Sequence, residues 1–231
     1  MPTITDLLSI GAKHDQAGNL AEAERVYSTI LHLDPTLAEA WRLHGRACLG
    51  QNKLEGAIRS FRQGLLLNPN SALAHNSLGI ALARQRRWKD AALSFQQALA
   101  LEPDYANAHT NLGNVLKEQG RIAEALVSYE AAVRLDPRSA VVHNNLGNAL
   151  REAQRYEEAA TSCAMATRLN PNWAEAHNNL ANALENLGRF EEAIQCYHRA
   201  LDMSGRLRGT NMIQLLKQPS RGLGGQHLAA V

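Results

Sequence analysis

The stretch from Ala140 to Pro171, AVVHNNLGNALREAQRYEEAATSCAMATRLNP, decides the fold. Its apolar residues recur at three- and four-residue steps, and it ends on Asn170-Pro171. That spacing predicts two amphipathic helices, Ala140 to about Gln154 and about Glu157 to Leu169, joined by a short turn and stopped by a proline that cannot continue a helix. Outward from this stretch the pattern repeats. Pro171 is the last of a column, Pro35, Pro69, Pro103, Pro137 and Pro171, with a period of 34 residues. Gly11, Gly45, Gly79, Gly113, Gly147 and then Ala181 keep the same step, as do Ala23, Ala57, Ala91, Ala125, Ala159 and Ala193. Apolar columns complete the unit: Leu20, Leu54, Trp88, Ile122, Tyr156, Phe190; Tyr27, Phe61, Phe95, Tyr129, Cys163, Tyr197; and Leu33, Leu67, Leu101, Leu135, Leu169, Met203. A fixed period of this length is the signature of a stacked repeat architecture. The recurrent Gly and Ala have a packing reason, since a hydrogen or methyl lets two helix backbones approach while a neighbouring aromatic fills the gap.

Six units follow, 4–37, 38–71, 72–105, 106–139, 140–173 and 174–207, so that 1–207 reads as one solenoid and 208–231 as a tail. In the tail, Thr210 to Lys217 has the composition of a short capping helix, and Pro219 with Gly222-Leu223-Gly224-Gly225 reads as disorder. Gly205 takes the place of the last unit's proline, and the exposed end faces of the solenoid are candidates for self-association.

Composition excludes several functions. The 231 residues carry 24 Lys+Arg against 22 Asp+Glu, and 45% are hydrophobic. A formal charge of +2 creates no field strong enough for nucleic acid or an anionic membrane. Even that surplus is local: Arg206, Arg208, Lys217 and Arg221 lie in an acid-free tail. Three cysteines, Cys48, Cys163 and Cys196, without CxxC or metal-ligand spacing, support neither a disulfide framework nor a structural zinc site. No export signal or bilayer-length apolar run is evident, and the chain reads as a cytoplasmic protein.

These columns resemble the tetratricopeptide repeat (TPR), in which Leu-Gly, Tyr, Ala, an aromatic and Pro recur every 34 residues. The resemblance implies an all-α, right-handed superhelical solenoid of about six helix-turn-helix repeats, with first helices lining a concave groove. It implies a non-catalytic protein-interaction scaffold. The variants HNNLGNALRE and HNNLANALEN are more narrowly similar to the repeat arm of O-linked N-acetylglucosamine transferases and their bacterial relatives, where such asparagines hold the acceptor polypeptide. A substrate-recruiting arm of such an enzyme is therefore the alternative, with catalysis in a separate domain. The two-carboxylate clamp of chaperone-cofactor repeats calls for Lys and Asn where this chain has Leu8 and Ala12, so that ligand class is not implied.

At 100° per residue, Val142, Leu146, Ala149, Leu150 and Ala153 fall on one side of the fifth unit's first helix, while Asn144, Asn145, Asn148, Arg151 and Glu152 fall on the other. Along the repeats the polar stripe carries Asn111, Asn145 and Asn179; Asn114, Asn148 and Asn182; and Asn76, Asn144 and Asn178. An asparagine amide both donates and accepts, matching the backbone of an extended protein or peptide partner. Arg42 and Arg46, four apart, with Arg84 one unit on, predict a basic patch for an acidic stretch of ligand. A further column, His75, His109, His143 and His177, invites a metal reading, but corresponding residues of stacked helices lie about 10 Å apart and zinc holds its ligands at about 2 Å. Packing or hydrogen bonding is the expected role of these histidines. The stripe contains no nucleophile with its base, no HExxH motif and no paired acid, and nothing in it calls for a cofactor.

Overall fold

The computed structural model describes residues 2–204, which form twelve helices and no strand. They fall into successive pairs: α1 (Ile4–Gln16) and α2 (Leu20–Leu33); α3 (Ala38–Gly50) and α4 (Leu54–Leu67); α5 (Ala72–Arg84) and α6 (Trp88–Leu101); α7 (Ala106–Glu118) and α8 (Ile122–Leu135); α9 (Ala140–Glu152) and α10 (Tyr156–Leu169); α11 (Ala174–Asn186) and α12 (Phe190–Ser204). The helices group into two compact units, α1 to α8 in the part ending at Pro137 and α9 to α12 in the part beginning at Arg138. The expected capping helix at Thr210 to Lys217, the glycine run and Gly205 lie outside the described residues.

Within each pair the chain reverses through a residue in the left-handed region. Gly18, Asn52, Arg86, Gly120, Gln154 and Gly188 occupy this place at φ of 74°, 60°, 58°, 73°, 60° and 73°, again every 34 residues. The residue after it sends its N–H back into the first helix, as in Asn19 to the His14 carbonyl (2.8 Å) and Arg155 to the Leu150 carbonyl (2.9 Å). This closes helix ends that would otherwise leave carbonyls unpaired. Glycine adopts the conformation without steric cost, whereas Arg86 and Gln154 hold their Cβ against the following carbonyl.

The glycine column serves a different purpose. A Cβ built on Gly79 would lie 2.6 to 2.8 Å from the Phe95 ring, and one on Gly113 would lie 2.7 to 2.9 Å from Tyr129. Both rings are fully buried, so each pair is drawn together until the ring of the second helix rests on the bare backbone of the first. In the fifth pair Cys163 replaces the ring, and the Cβ position of Gly147 meets the Cys163 sulfur first, with the Ala159 carbonyl oxygen at 3.1 Å and the Cys163 nitrogen at 3.2 Å. Ala23, Ala57, Ala91, Ala125, Ala159 and Ala193 have no exposed surface and complete the seam. The leucines at the ends of the second helices are different: Leu33 is 60% exposed and Leu67 44%, because their last turn overhangs the core.

Within each unit, successive first helices also touch one another, α3 with α5, α5 with α7 and α9 with α11, and no comparable pairing joins successive second helices. The first helices therefore form the inner wall of each unit. No helix among the described residues is long and apolar enough to cross a membrane.

Replacing Arg86 or Gln154 by glycine should raise the stability of the chain by about 0.5–1 kcal/mol, the relief of left-handed strain exceeding the entropy glycine adds to the unfolded state. Urea denaturation followed by circular dichroism measures this, and Asn52→Gly, at a residue type that tolerates the conformation, should change less.

Candidate functional site

The twelve side chains singled out from the sequence divide between the units. Arg42, Arg46, Asn76, Arg84, Asn111 and Asn114 belong to α3, α5 and α7; Asn144, Asn145, Asn148, Asn178, Asn179 and Asn182 belong to α9 and α11. All sit on first helices, but they are not equally placed.

The helical projection puts Asn144 on the solvated side; the structure buries it to 2% exposure and buries Asn76 to 5%. The cause is the next repeat. Asn179 Nδ2 donates to Asn144 Oδ1 at 3.0 Å, and Asn111 Nδ2 donates to Asn76 Oδ1 at 3.1 Å. An amide on one first helix is thus tied to the amide 35 residues later, and the earlier one is enclosed by its neighbour. Asn76 Nδ2 in turn reaches the Tyr105 hydroxyl at 3.4 Å. Buried amides must be hydrogen-bonded, and these bonds fix how one first helix sits against the next.

The row one turn further on is tied within its own repeat. The Tyr129 hydroxyl donates to Asn114 Oδ1 at 2.8 Å, and the Tyr197 hydroxyl shares its proton between Asn182 Oδ1 (2.7 Å) and Glu185 Oε2 (2.8 Å). Where the tyrosine is Cys163, Arg151 Nη2 donates to Asn148 Oδ1 at 2.9 Å instead. Asn111, Asn114, Asn145, Asn148, Asn178, Asn179 and Asn182 remain half-buried on the inner wall, each partly open to solvent.

The open basic patch expected from Arg42 and Arg46 is corrected by their partners. Arg42 makes two bonds to the Glu39 carboxylate, at 2.8 and 2.5 Å, and Arg46 pairs with Asp15, which also accepts from the Tyr27 hydroxyl at 3.2 Å. Glu39, three residues before Arg42, offsets its charge in place, and Asp15 is carried to Arg46 by α1. Arg84 is exposed and donates to the Leu49 carbonyl at 3.0 Å, and among the described residues no carboxylate pairs with it.

His75, His109 and His177 of the histidine column hydrogen-bond as expected. Nε2 of His75, His109 and His177 lies 3.0, 2.8 and 2.9 Å from the carbonyls of Pro69, Pro103 and Pro171. A carbonyl accepts only, so Nε2 carries the proton; in the second repeat Trp41 Nε1 makes the same bond to Pro35 at 2.8 Å. Cys163 and Cys196 are buried, and burial pushes the Cys163 thiol up to about 12, far from a reactive thiolate.

Paired helices stacked so that first helices line an inner wall define an α-helical repeat protein. Sequence models described as "TPR repeat" match residues 113–150 and 147–188, and those described as "Tetratricopeptide repeat" match 12–71, 43–106, 94–127 and 174–204. Residues 12 to 204 are covered without a gap, and the chain belongs to the tetratricopeptide-repeat family. Comparison with curated proteins returned no match. Among solved structures the chain is similar to YrrB, described as a TPR protein with an unusual peptide-binding site, at 20% identity over 82% of this chain and 95% of that one, with a TM-score of 0.67. It is similar to pilF of Pseudomonas aeruginosa at 18% identity over 93% and 97%, with a TM-score of 0.81. It is also similar to a MamA fragment from Desulfovibrio magneticus RS-1 at 23% identity over 72% and 94%, with a TM-score of 0.67. At these identities the likeness establishes the fold.

Asn179→Ala leaves the Asn144 carbonyl oxygen buried without its donor and should cost about 1–3 kcal/mol, whereas Asn178→Ala on the same helix should stay within about 0.5 kcal/mol. Thermal melts of the two variants make the comparison.

Proposed function

We propose that the chain is a non-catalytic scaffold that holds an extended segment of another protein against the inner, first-helix wall of its repeats. The observation that carries this reading is the inter-repeat amide pair. Asn111 and Asn179 each use one N–H inside the wall, which fixes the side chain and leaves its oxygen and second N–H for a ligand. Donors and acceptors fixed in advance lose little freedom on binding. Stacked helices lie about 8–10 Å apart and an extended chain advances about 3.3 Å per residue, so each repeat meets about every third ligand residue. Contacts to backbone are common to all sequences, and selectivity falls to the charges beside them, of which Arg84 is the one to favour an acidic ligand residue. The description of YrrB as carrying a peptide-binding site supports this use of the fold. Three free, buried cysteines support a reducing, cytoplasmic setting.

A second reading, recruitment of an acceptor polypeptide to an O-linked N-acetylglucosamine transferase domain supplied elsewhere, rests on the asparagine-rich segments around Asn144 and Asn178. Addition of such a catalytic domain separates the two: faster glycosylation of a bound peptide favours recruitment.

The test must avoid Asn179 and Asn111, whose loss acts on stability. Among the described residues Asn178 has no side-chain partner, and removing Asn182 leaves the Tyr197 hydroxyl its bond to Glu185. The double variant Asn178→Ala/Asn182→Ala should weaken binding of a library-selected extended peptide to the full chain by about tenfold, near 1.4 kcal/mol, with an unchanged melting temperature. Equal affinity in fluorescence anisotropy removes this wall from the binding surface.

A further inference from the structure

The interface of the first two repeats brings together three side chains that the asparagine wall does not use. Glu24 comes from α2, and His44 and Cys48, four residues apart, share one face of α3. Cys48 Sγ lies 3.7 Å from His44 Nδ1 and 3.7 Å from Glu24 Oε1, and one donor atom of each residue falls within 4.8 Å of the others. Sulfur, nitrogen and oxygen held about 2.0–2.3 Å from a tetrahedral zinc ion are about 3.5 Å from one another. Both edges at the sulfur, 3.7 Å each, approach that value.

We propose that Glu24, His44 and Cys48 form a three-ligand site for a zinc-like divalent cation, with water as fourth ligand. The second carboxylate oxygen sets the first in place. Glu24 Oε2 accepts from Lys53 Nζ at 2.5 Å and from Gln51 Nε2 at 2.8 Å, which turns Oε1 toward the thiol. Ligating carboxylates are oriented by such outer partners. The ligand set is one thiolate, one imidazole and one carboxylate, so two negative charges balance the ion. Thiolate and imidazole select zinc over calcium or magnesium, which take oxygen.

The Cys48 thiol donates to Glu24 Oε1 at 3.7 Å. Ser60 Oγ donates to the Gly56 carbonyl at 2.9 Å and so accepts from His44 Nδ1–H at 2.8 Å. Binding moves the imidazole proton to Nε2, frees the Nδ1 lone pair for the metal, and releases the Cys48 proton to solvent. Burial pushes the Cys48 thiol up to about 11, with the Glu24 carboxylate adding to the effect, so a nearby cation is what makes it a thiolate. The bound ion would tie α2 to α3 and so lock the first repeat to the second.

The test uses the full chain after removal of metal by a chelator. Cobalt(II) should bind at one equivalent, giving the visible bands of a tetrahedral site and a thiolate-to-cobalt charge-transfer band, both removed by added zinc. Cys48→Ser should abolish the charge-transfer band, and Glu24→Gln should weaken binding by more than about tenfold, the loss already typical of removing a group that only orients a ligand. The double variant Cys163→Ser/Cys196→Ser should keep the band. Circular dichroism confirms that each variant is folded. Absence of cobalt bands in the folded wild-type chain overturns the proposal, as does a charge-transfer band that survives Cys48→Ser.

Discussion

The first four repeats depend on one close approach, the ring of a second helix laid on a glycine of the first. Gly11, Gly45, Gly79 and Gly113 each face a buried ring at a distance where a methyl group would collide with it. The ring supplies apolar burial worth about 1.5–3 kcal/mol, and the missing side chain lets dispersion contacts form on both sides of it. Because the pair is drawn in this tightly, its outer surfaces fall at fixed places, and within each unit the next pair docks on them in the same way. Repeats stabilised through their neighbours inherit any error in that spacing. The fifth repeat departs from this pattern: Cys163 stands in place of the ring, and its sulfur takes the place of the ring at Gly147.

On this frame the inner wall is first a structural element and then a surface. The bonds from Asn111 to Asn76 and from Asn179 to Asn144 join successive first helices, and the tyrosine hydroxyls on Asn114 and Asn182 tie first helix to second. Satisfied polar groups of this kind specify one arrangement of the helices. They also hold the remaining amide atoms still, which suits a scaffold whose ligand is met by many weak contacts. Charge plays a smaller part, since Arg42 and Arg46 are occupied by Glu39 and Asp15.

The helix pairs were legible because packing at the seam tolerates few residue types: the prolines, the small residues and the rings all show the 34-residue period. The left-handed turn has the same period, yet Asn52, Arg86 and Gln154 carry no glycine to announce it, and a conformation imposed by the flanking helices leaves little compositional trace. The burial of Asn144 was illegible for another reason. A helical projection assumes one buried face, whereas a first helix here is covered by its own partner and also by the first helix of the next repeat. Glu39 lies three residues from Arg42 and its pairing is readable; Asp15 lies 31 residues from Arg46, and only the fold joins them. Likewise His44 and Cys48 sit at a helical spacing, but Glu24 completes their cluster from another repeat.

The claim that ring-on-glycine contact governs the repeat is tested most directly by a double-mutant cycle on Gly79 and Phe95, in a pair where no hydroxyl complicates the ring. Gly79→Ala alone should destabilise the chain by about 1–3 kcal/mol despite alanine's better helix propensity. In a Phe95→Leu background the same change should cost at least about 1 kcal/mol less, a coupling of the size expected for residues in direct contact. Equal costs in the two backgrounds, measured by urea denaturation, would contradict the account.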